Sequence, residues 1–319
     1  MKMLFLMDPL DTVDYRKDTT FAFMLGASRR GHDVYYLPIG GIHLSGNTAR
    51  FDATPVVPRD DPARLFDVSS PVTLCDGDVD TIFIRNNPPF DAQYLMNTWL
   101  LDPLTDRIAV INDPRGVRGA NEKLWAMNFP EFMPPTLVTR SRAKFQEFLD
   151  SIESIVAKPT DGFGGLGVFV VRRGDANAQV IFETLSDNGR REIVLQGMVP
   201  EATQGDKRIL LLNGELLGAV MRVQGGEDHR NNFFAGAKPE PAEVTGSDRE
   251  IIAALKPRLI EQGLYFAGID ILGDRLIEVN VTSPTCLQEI NRITGDHLED
   301  RVVEFAESLS RERRTSHVG

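Results

Sequence analysis

The sequence predicts an α/β protein: a parallel sheet covered by helices in the first third, then closely spaced antiparallel strands. Three observations carry that prediction. Short apolar runs alternate with helical patterns as far as Asn112, the order that builds a parallel sheet. These runs are bounded by breakers, as strands buried on both faces are. From Ile155 onward the runs follow one another with glycine turns between them, which is hairpin spacing.

In chain order, residues 2–7 read as a buried first strand rather than a secretion signal, because the run is short and ends at Asp8-Pro9. An amphipathic helix over 17–30 stops at Gly31, and 33–38 is a second strand. Residues 40–78, rich in Gly, Pro and Asp, read as an irregular excursion. A third strand at 81–85, a helix at 92–101 and a buried strand at 108–112 follow. The stretches 121–129 and 144–152 read as short helices. Strands are expected at 155–158, 168–172, 193–196, 209–212 and 216–223. Residues 247–262 form a helix that opens at Ser247 with Glu250 in the capping-box position and ends at Gly263. Strands at 266–272 and 276–280 make a final hairpin, 295–309 a last helix, and 310–319 a polar, frayed tail.

Composition excludes several classes of function. A chain of 319 residues suits two or three packed subdomains. No apolar run approaches the roughly 18 residues of a membrane span, so no membrane partner is expected. Cys75 and Cys286 are too few and too far apart for a disulfide scaffold or a zinc site, and fit a reducing cytoplasm. A net charge of −11 argues against nucleic acid as a partner. His32, His43, His229, His297 and His317 share no spacing, and no activated nucleophile is visible.

Two patterns carry chemistry. Gly162, Gly164 and Gly167 match G-x-G-x-x-G, but a strand (Val168-Phe169-Val170-Val171) follows where a dinucleotide fold needs a helix. A strand–loop–strand remains, whose backbone N–H groups can lie over phosphates because glycine puts no side chain in the way. Lys158, one strand position before the loop, adds a point charge; the competing reading is a tight surface turn. The second pattern is Asp270, Glu278 and Asn280. Glu278 and Asn280 share a strand face, and a three-residue loop at 273–275 would set Asp270 beside Glu278. Hard oxygen donors among apolar neighbours suit Mg²⁺. Around these, 196–200 is a linker strand with room for adenine. Asp206-Lys207-Arg208 offers a carboxylate to a ribose and cations to phosphate, or is an ordinary charged turn. Arg222 and the polar stretch 225–232, with Arg230, read as a loop closing on an anion, or as a disordered surface loop. By spacing alone Lys123 is a surface helix lysine.

Together these segments resemble the ATP-grasp superfamily and, within it, the bacterial glutathione synthetases. The resemblance is carried by Met7-Asp8-Pro9, Arg85 with Pro88-Pro89-Phe90-Asp91, Asn121-Glu122-Lys123-Leu124, Lys158-Pro159 with Gly164-Gly165, and Gly205-Asp206-Lys207-Arg208. Gln224-Gly225-Gly226-Glu227, Gly268-Ile269-Asp270-Ile271 and the block from Glu278 to Cys286 extend it over nearly the whole chain. It implies an ATP-grasp architecture. Residues 1–120 would be an N-terminal α/β domain contributing to the peptide site, 121–200 a lid subdomain with the flap, 201–310 a C-terminal antiparallel subdomain with the metal site, and 311–319 a tail. Lys123 and Lys158, with Gly162, Gly164 and Gly165, would bind nucleotide phosphates, which displaces the surface reading of Lys123. Gln196 and Val199 would line the adenine slot and Asp206 would hold the ribose. Asp270, Glu278 and Asn280 would bind Mg²⁺ or Mn²⁺. Arg208, Arg222, Arg230 and Ser283 would face the peptide substrate or the transferred phosphate, and Asp8, Arg85, Pro88 and Pro284 would belong to the peptide site with Ser283. The implied reaction joins γ-glutamylcysteine to glycine through an acyl phosphate at the expense of ATP, in a cytoplasmic homotetramer. The chain departs from the family at Asn86-Asn87, where Lys-Asp is usual, and in the bulkier loop at 227–237. Those departures keep open a ligase for another dipeptide or amine, or a nucleotide-binding protein without catalysis.

Overall fold

The computed structural model describes residues 1–223 and 237–317. The apolar run at the start becomes β1 (Lys2–Leu6), which pairs in parallel with β2 (Asp33–Leu37) across the crossover helix α1 (Thr19–Arg29). Asp18 opens α1 by accepting the Phe21 N–H at 2.8 Å, satisfying one of the helix's free donors. Next come β3 (Ile42–Ser45), β4 (Thr48–Pro58), β5 (Phe66–Val68), β6 (Val72–Cys75) and β7 (Thr81–Ile84), then α2 (Ala92–Leu101), β8 (Ala109–Ile111) and α3 (Pro114–Gly119). The sheet order is β3-β4-β2-β1-β7-β8, with β5 and β6 also paired to β4. β2, β1, β7 and β8 are parallel, with β1, β7 and β8 buried and β2 half-buried; the others are antiparallel. The irregular excursion expected at 40–78 is therefore an antiparallel extension. Its breakers punctuate short strands instead of replacing them: Gly40 and Gly46 turn the chain at φ 87° and 62°, and Pro58 closes β4.

A second sheet, β11-β10-β12-β9, is fully antiparallel. It is built from β9 (Thr136–Thr139), β10 (Ser154–Pro159), β11 (Phe169–Arg172) and β12 (Ile193–Gly197). With α4 (Arg142–Ser151) and α5 (Ala178–Leu185) it encloses a separate small core around Phe145, Leu149, Ile155 and Phe182. The third sheet runs β15-β14-β13-β16-β17. Its strands are β13 (Asp206–Leu212), β14 (Glu215–Val223), β15 (Lys238–Pro241), β16 (Phe266–Leu272) and β17 (Arg275–Asn280). Helices α6 (Gly246–Glu261) and α7 (Leu287–Thr294) pack on it, α8 (Leu298–His317) lies against α1, β7 and β8, and the third sheet's apolar faces join the core of the first sheet. Asn112 staples the two sheets: it donates to Phe266 O and Val281 O, both at 2.8 Å, and accepts from Phe266 N–H at 2.7 Å. Among the described residues no helix is long and apolar enough to cross a membrane.

Several elements differ from the sequence expectation. Residues 121–129 form a turn and a 3-10 segment, Trp125–Asn128, not an α-helix. α3, α5, α7 and β9 were not expected; three are helices of six to eight residues and β9 has four, too short to show a clear period. α6 begins one residue earlier than Ser247, and its capping box is Thr245 with Asp248, not Ser247 with Glu250. α8 runs on to His317 rather than stopping at Leu309, because the stretch expected to fray carries a buried Ser310 and an Arg314 paired with Asp80.

Charge fixes α8 against α1. Arg30 grips Glu307 with two bonds, Nε–Oε1 2.7 Å and Nη2–Oε2 3.1 Å, and His32 Nε2 lies 2.8 Å from Oε1. The bonds from Arg30, aided by His32, outweigh burial and hold the Glu307 carboxyl down at about 2. A depressed carboxyl pKa contributes stability above the unfolded value near 4.5, and that contribution fades as pH falls toward 2. Urea unfolding of Glu307→Gln should therefore show a deficit against wild type at pH 7 that shrinks through pH 4 and closes near pH 2.

Candidate active site

β13 places the charges. Side chains alternate along a strand, so Asp206 and Arg208 face one way and Lys207 the other. Lys207 points to α6, where its Nζ donates to the buried Asp248 at 2.5 Å. On the opposite face Asp206 lies across from Arg222 on β14, and Arg208 across from Asp270 on β16. Arg208 is bidentate to Asp270, with Nη2–Oδ2 at 2.9 Å. Arg222 holds both acids, donating from Nε to Asp206 Oδ1 at 2.7 Å and lying 3.0 Å from Asp270 Oδ2 through Nη2. All four are largely buried. Burial pushes the Asp206 carboxyl up to about 6 against the pull of Arg222. Burial would also raise Asp270, but Arg208 and Arg222 outweigh it and hold that carboxyl well below the usual range.

The acid hairpin has the register that puts Asp270 opposite Glu278, by a different device than the sequence suggested. The turn is two residues, Gly273-Asp274, between paired Leu272 and Arg275. A β-bulge supplies the extra residue: Ile271 pairs with Leu276 and Asp270 with Glu278, leaving Ile277 over. Asn280 lies two positions on, its Nδ2 3.3 Å from Gly268 O and 3.5 Å from Asp270 Oδ2. Among the described residues no three His, Cys, Asp or Glu side chains gather as a metal cage. Two carboxylates and one amide are instead the sparse oxygen set of an ion that keeps waters and shares phosphate oxygens, and they fit Mg²⁺ on that ground.

The glycine loop faces this hairpin. It links β10 to β11, and Gly164, Gly165 and Gly167 sit at φ 61°, 74° and 72°, a region where a side chain is strained. At Gly162 an added Cβ would lie 2.6 Å from Pro159 Cγ. Lys158, on β10, is buried, and burial pulls its ammonium down to about 8 although Glu278 and Asp270 partly restore it. Lys123 is also buried, in the turn before Trp125 rather than on a helix surface, and its Nζ donates to Gly162 O.

A cavity of about 750 Å³ joins these parts. Its lining includes Lys123, Lys158, Gly162, Gly164, Gly165, Gln196, Val199, Asp206, Arg208, Arg222, Pro88, Ser283, Pro284 and the trio Asp270, Glu278, Asn280. Val156, Val170, Met198, Leu272 and Ile277 give one end an apolar slot next to Gln196. Among the described residues, two expected ones are not in the lining. Arg85 is buried behind it, bonded through Nε to Thr20 Oγ1 at 3.1 Å and through Nη2 to Pro284 O at 3.0 Å, with Phe23 and Phe266 against its guanidinium. Asp8 accepts the Asn87 N–H at 3.1 Å, and Asn87 in turn accepts from Ser283 Oγ at 3.2 Å. Both therefore support the wall formed by 283–285 from outside. Arg230 and the expected closing loop fall within 224–236, outside the described residues. Sequence reasoning gave no role to Glu122, which lines the cavity; it carries no periodic or glycine signal, and only adjacency to Lys123 pointed to it, whereas Asn87, in the Asn86-Asn87 departure, does line the cavity.

Comparison with known proteins agrees with this geometry. The profile for the prokaryotic glutathione synthetase N-terminal domain matches residues 1–118, and that for the prokaryotic glutathione synthetase ATP-grasp domain matches 122–295. Glutathione synthetase from Xanthomonas campestris pv. campestris is 40% identical over 92% of this chain and 94% of its own. That from Vibrio cholerae serotype O1 is 38% identical over 91% and 92%. Among solved structures, D-cycloserine synthetase DcsG superposes with a TM-score of 0.64 at 16% identity, covering 98% of this chain and 99% of that one. ATP-grasp ligase PsnB, complexed with minimal precursor, Mg and ADP, gives a TM-score of 0.61 at 14% identity, covering 97% and 98%. These two carry the fold alone, and it is the ATP-grasp fold. With both family profiles matched in sequence along one chain, this protein belongs to the prokaryotic glutathione synthetase family.

Proposed function

We propose that the chain joins the cysteinyl carboxylate of γ-glutamylcysteine to the amine of glycine, with ATP cleaved to ADP and phosphate. The observation that carries this reading is the meeting of the glycine loop, two buried lysines and the Asp270–Glu278–Asn280 trio around one cavity. ATP would lie with adenine in the slot by Gln196 and Val199, its ribose near Asp206 and its phosphates under Gly162, Gly164 and Gly165. Asp270, Glu278 and Asn280 would hold Mg²⁺. When bound, that ion neutralises charge on the transferring phosphoryl group.

A carboxylate is a poor electrophile, so it first takes the γ-phosphoryl group, and the acyl phosphate follows. Lys123 and Lys158 orient the phosphates and balance their charge. The glycine amine then attacks; the C–N bond forms, the C–O bond to phosphate breaks, and the amine releases a proton. Arg208 and Arg222, already locked by Asp206 and Asp270, offer fixed positive charge to the developing oxyanion without reorganising. Arg230 would join them from the 224–236 segment. The wall of Pro88, Ser283 and Pro284, backed by Arg85 and Asp8, would receive the dipeptide. Residues 1–120 would supply that wall, 121–200 the lid and 201–310 the metal site, in a cytoplasmic homotetramer.

Mass spectrometry after mixing the chain with ATP, Mg²⁺, γ-glutamylcysteine and glycine should find glutathione and ADP in equal amounts. Release of ADP only with another dipeptide or amine would overturn the substrate assignment.

A further inference from the structure

The chain leaving the metal hairpin has lost its ladder. β17 ends at Asn280, yet the backbone N–H groups of Val281 and Thr282 are buried and need acceptors. One residue supplies them. Glu122 Oε1 accepts from Val281 N–H at 2.8 Å, Thr282 N–H at 3.0 Å and Thr282 Oγ1 at 2.8 Å. Its backbone carbonyl also accepts the Val279 N–H at 3.0 Å. Asn280 sits between these bonds, and Lys123, the next residue after Glu122, reaches the glycine loop. On the other side of Val281, Asn112 holds its carbonyl.

We propose that Glu122 is a positioning residue that fixes Asn280 and the 281–285 wall relative to Lys123, and through Asn280 sets the affinity for the divalent cation. The inference rests on the metal reading above. Its physical basis is that one side-chain oxygen at the right reach takes three donors that would otherwise be buried without an acceptor, and so holds the strand end in one place. Groups that orient a metal ligand from outside the ligand shell typically change metal affinity by about 10- to 100-fold.

Titration calorimetry of Mg²⁺ into the full chain saturated with ADP tests this, independently of turnover. Glu122→Gln keeps a carbonyl oxygen at the same reach and should stay within about threefold of wild type. Glu122→Asp keeps the charge but withdraws it by one methylene, and should weaken Mg²⁺ by about tenfold or more, as should Glu122→Ala. Thermal unfolding without Mg²⁺ identifies a variant that fails to fold, and the Asp–Gln contrast decides the matter without the Ala variant. Wild-type Mg²⁺ affinity in the Asp variant overturns the proposal, as does a Gln variant as weak as Asp. A wild-type chain that takes up no Mg²⁺ with ADP overturns the metal reading itself and this inference with it, a result distinct from either of those.

Discussion

Glu278→Gln is expected to lower turnover by about 100- to 1000-fold, the loss of several kcal/mol of charge stabilisation in the phosphoryl-transfer step. Glu278 lines the cavity opposite Asp270; among the described residues its side chain has no hydrogen bond, and its charge acts on Lys158. The substitution keeps shape and removes one negative charge. Unfolding by urea should therefore move little while phosphate release collapses, and more Mg²⁺ should be needed for half-maximal rate. Full turnover in this variant would remove Glu278 from the metal site. The companion Asp270→Asn is a poorer probe, because it also strands Arg208 and takes one of two carboxylate partners from Arg222.

Asp248→Ala should produce the largest loss of stability, about 3–5 kcal/mol for stranding a buried cation, plus about 1 kcal/mol for the lost cap. Asp248 is fully buried, takes Lys207 Nζ at 2.5 Å and accepts the Thr245 N–H at 2.8 Å at the start of α6. Removing it leaves the Lys207 ammonium with no counter-charge. Replacing both partners with apolar residues (Lys207→Met with Asp248→Leu) should recover most of the loss, since the penalty lies in the unpaired charge. Urea midpoints of the single and double variants measure it. A single variant as stable as wild type would mean that Lys207 finds another partner or water.

Much of this was legible in the sequence where local chemistry repeats a pattern. Three of the parallel strands, β1, β7 and β8, were visible because they are buried on both faces, and the Asp270–Glu278 pairing because period-two geometry limits the choices. The bulge at Ile277 was not legible: a bulge and a longer loop give the same pairing from the same letters. Lys123 was misread from spacing because burial in a turn leaves no periodic trace. The roles of Arg85 and Glu122 were hidden for another reason. Arg85 meets Pro284 and Glu122 meets Val281 and Thr282 across the fold, and no spacing rule reaches so far.

The described cavity lining contains four acids, Glu122, Asp206, Asp270 and Glu278, against four bases, Lys123, Lys158, Arg208 and Arg222. Its formal charge cancels, inside a molecule that carries −11. The net charge of these described residues therefore gives a bare nucleoside triphosphate no long-range attraction, while the net-negative molecule around them repels it. Rising ionic strength should speed its capture by screening that repulsion, the opposite of what a basic phosphate trap would do. A described lining without net charge is suited to a ligand that arrives with much of its charge already cancelled, which makes the cation part of the admitted species.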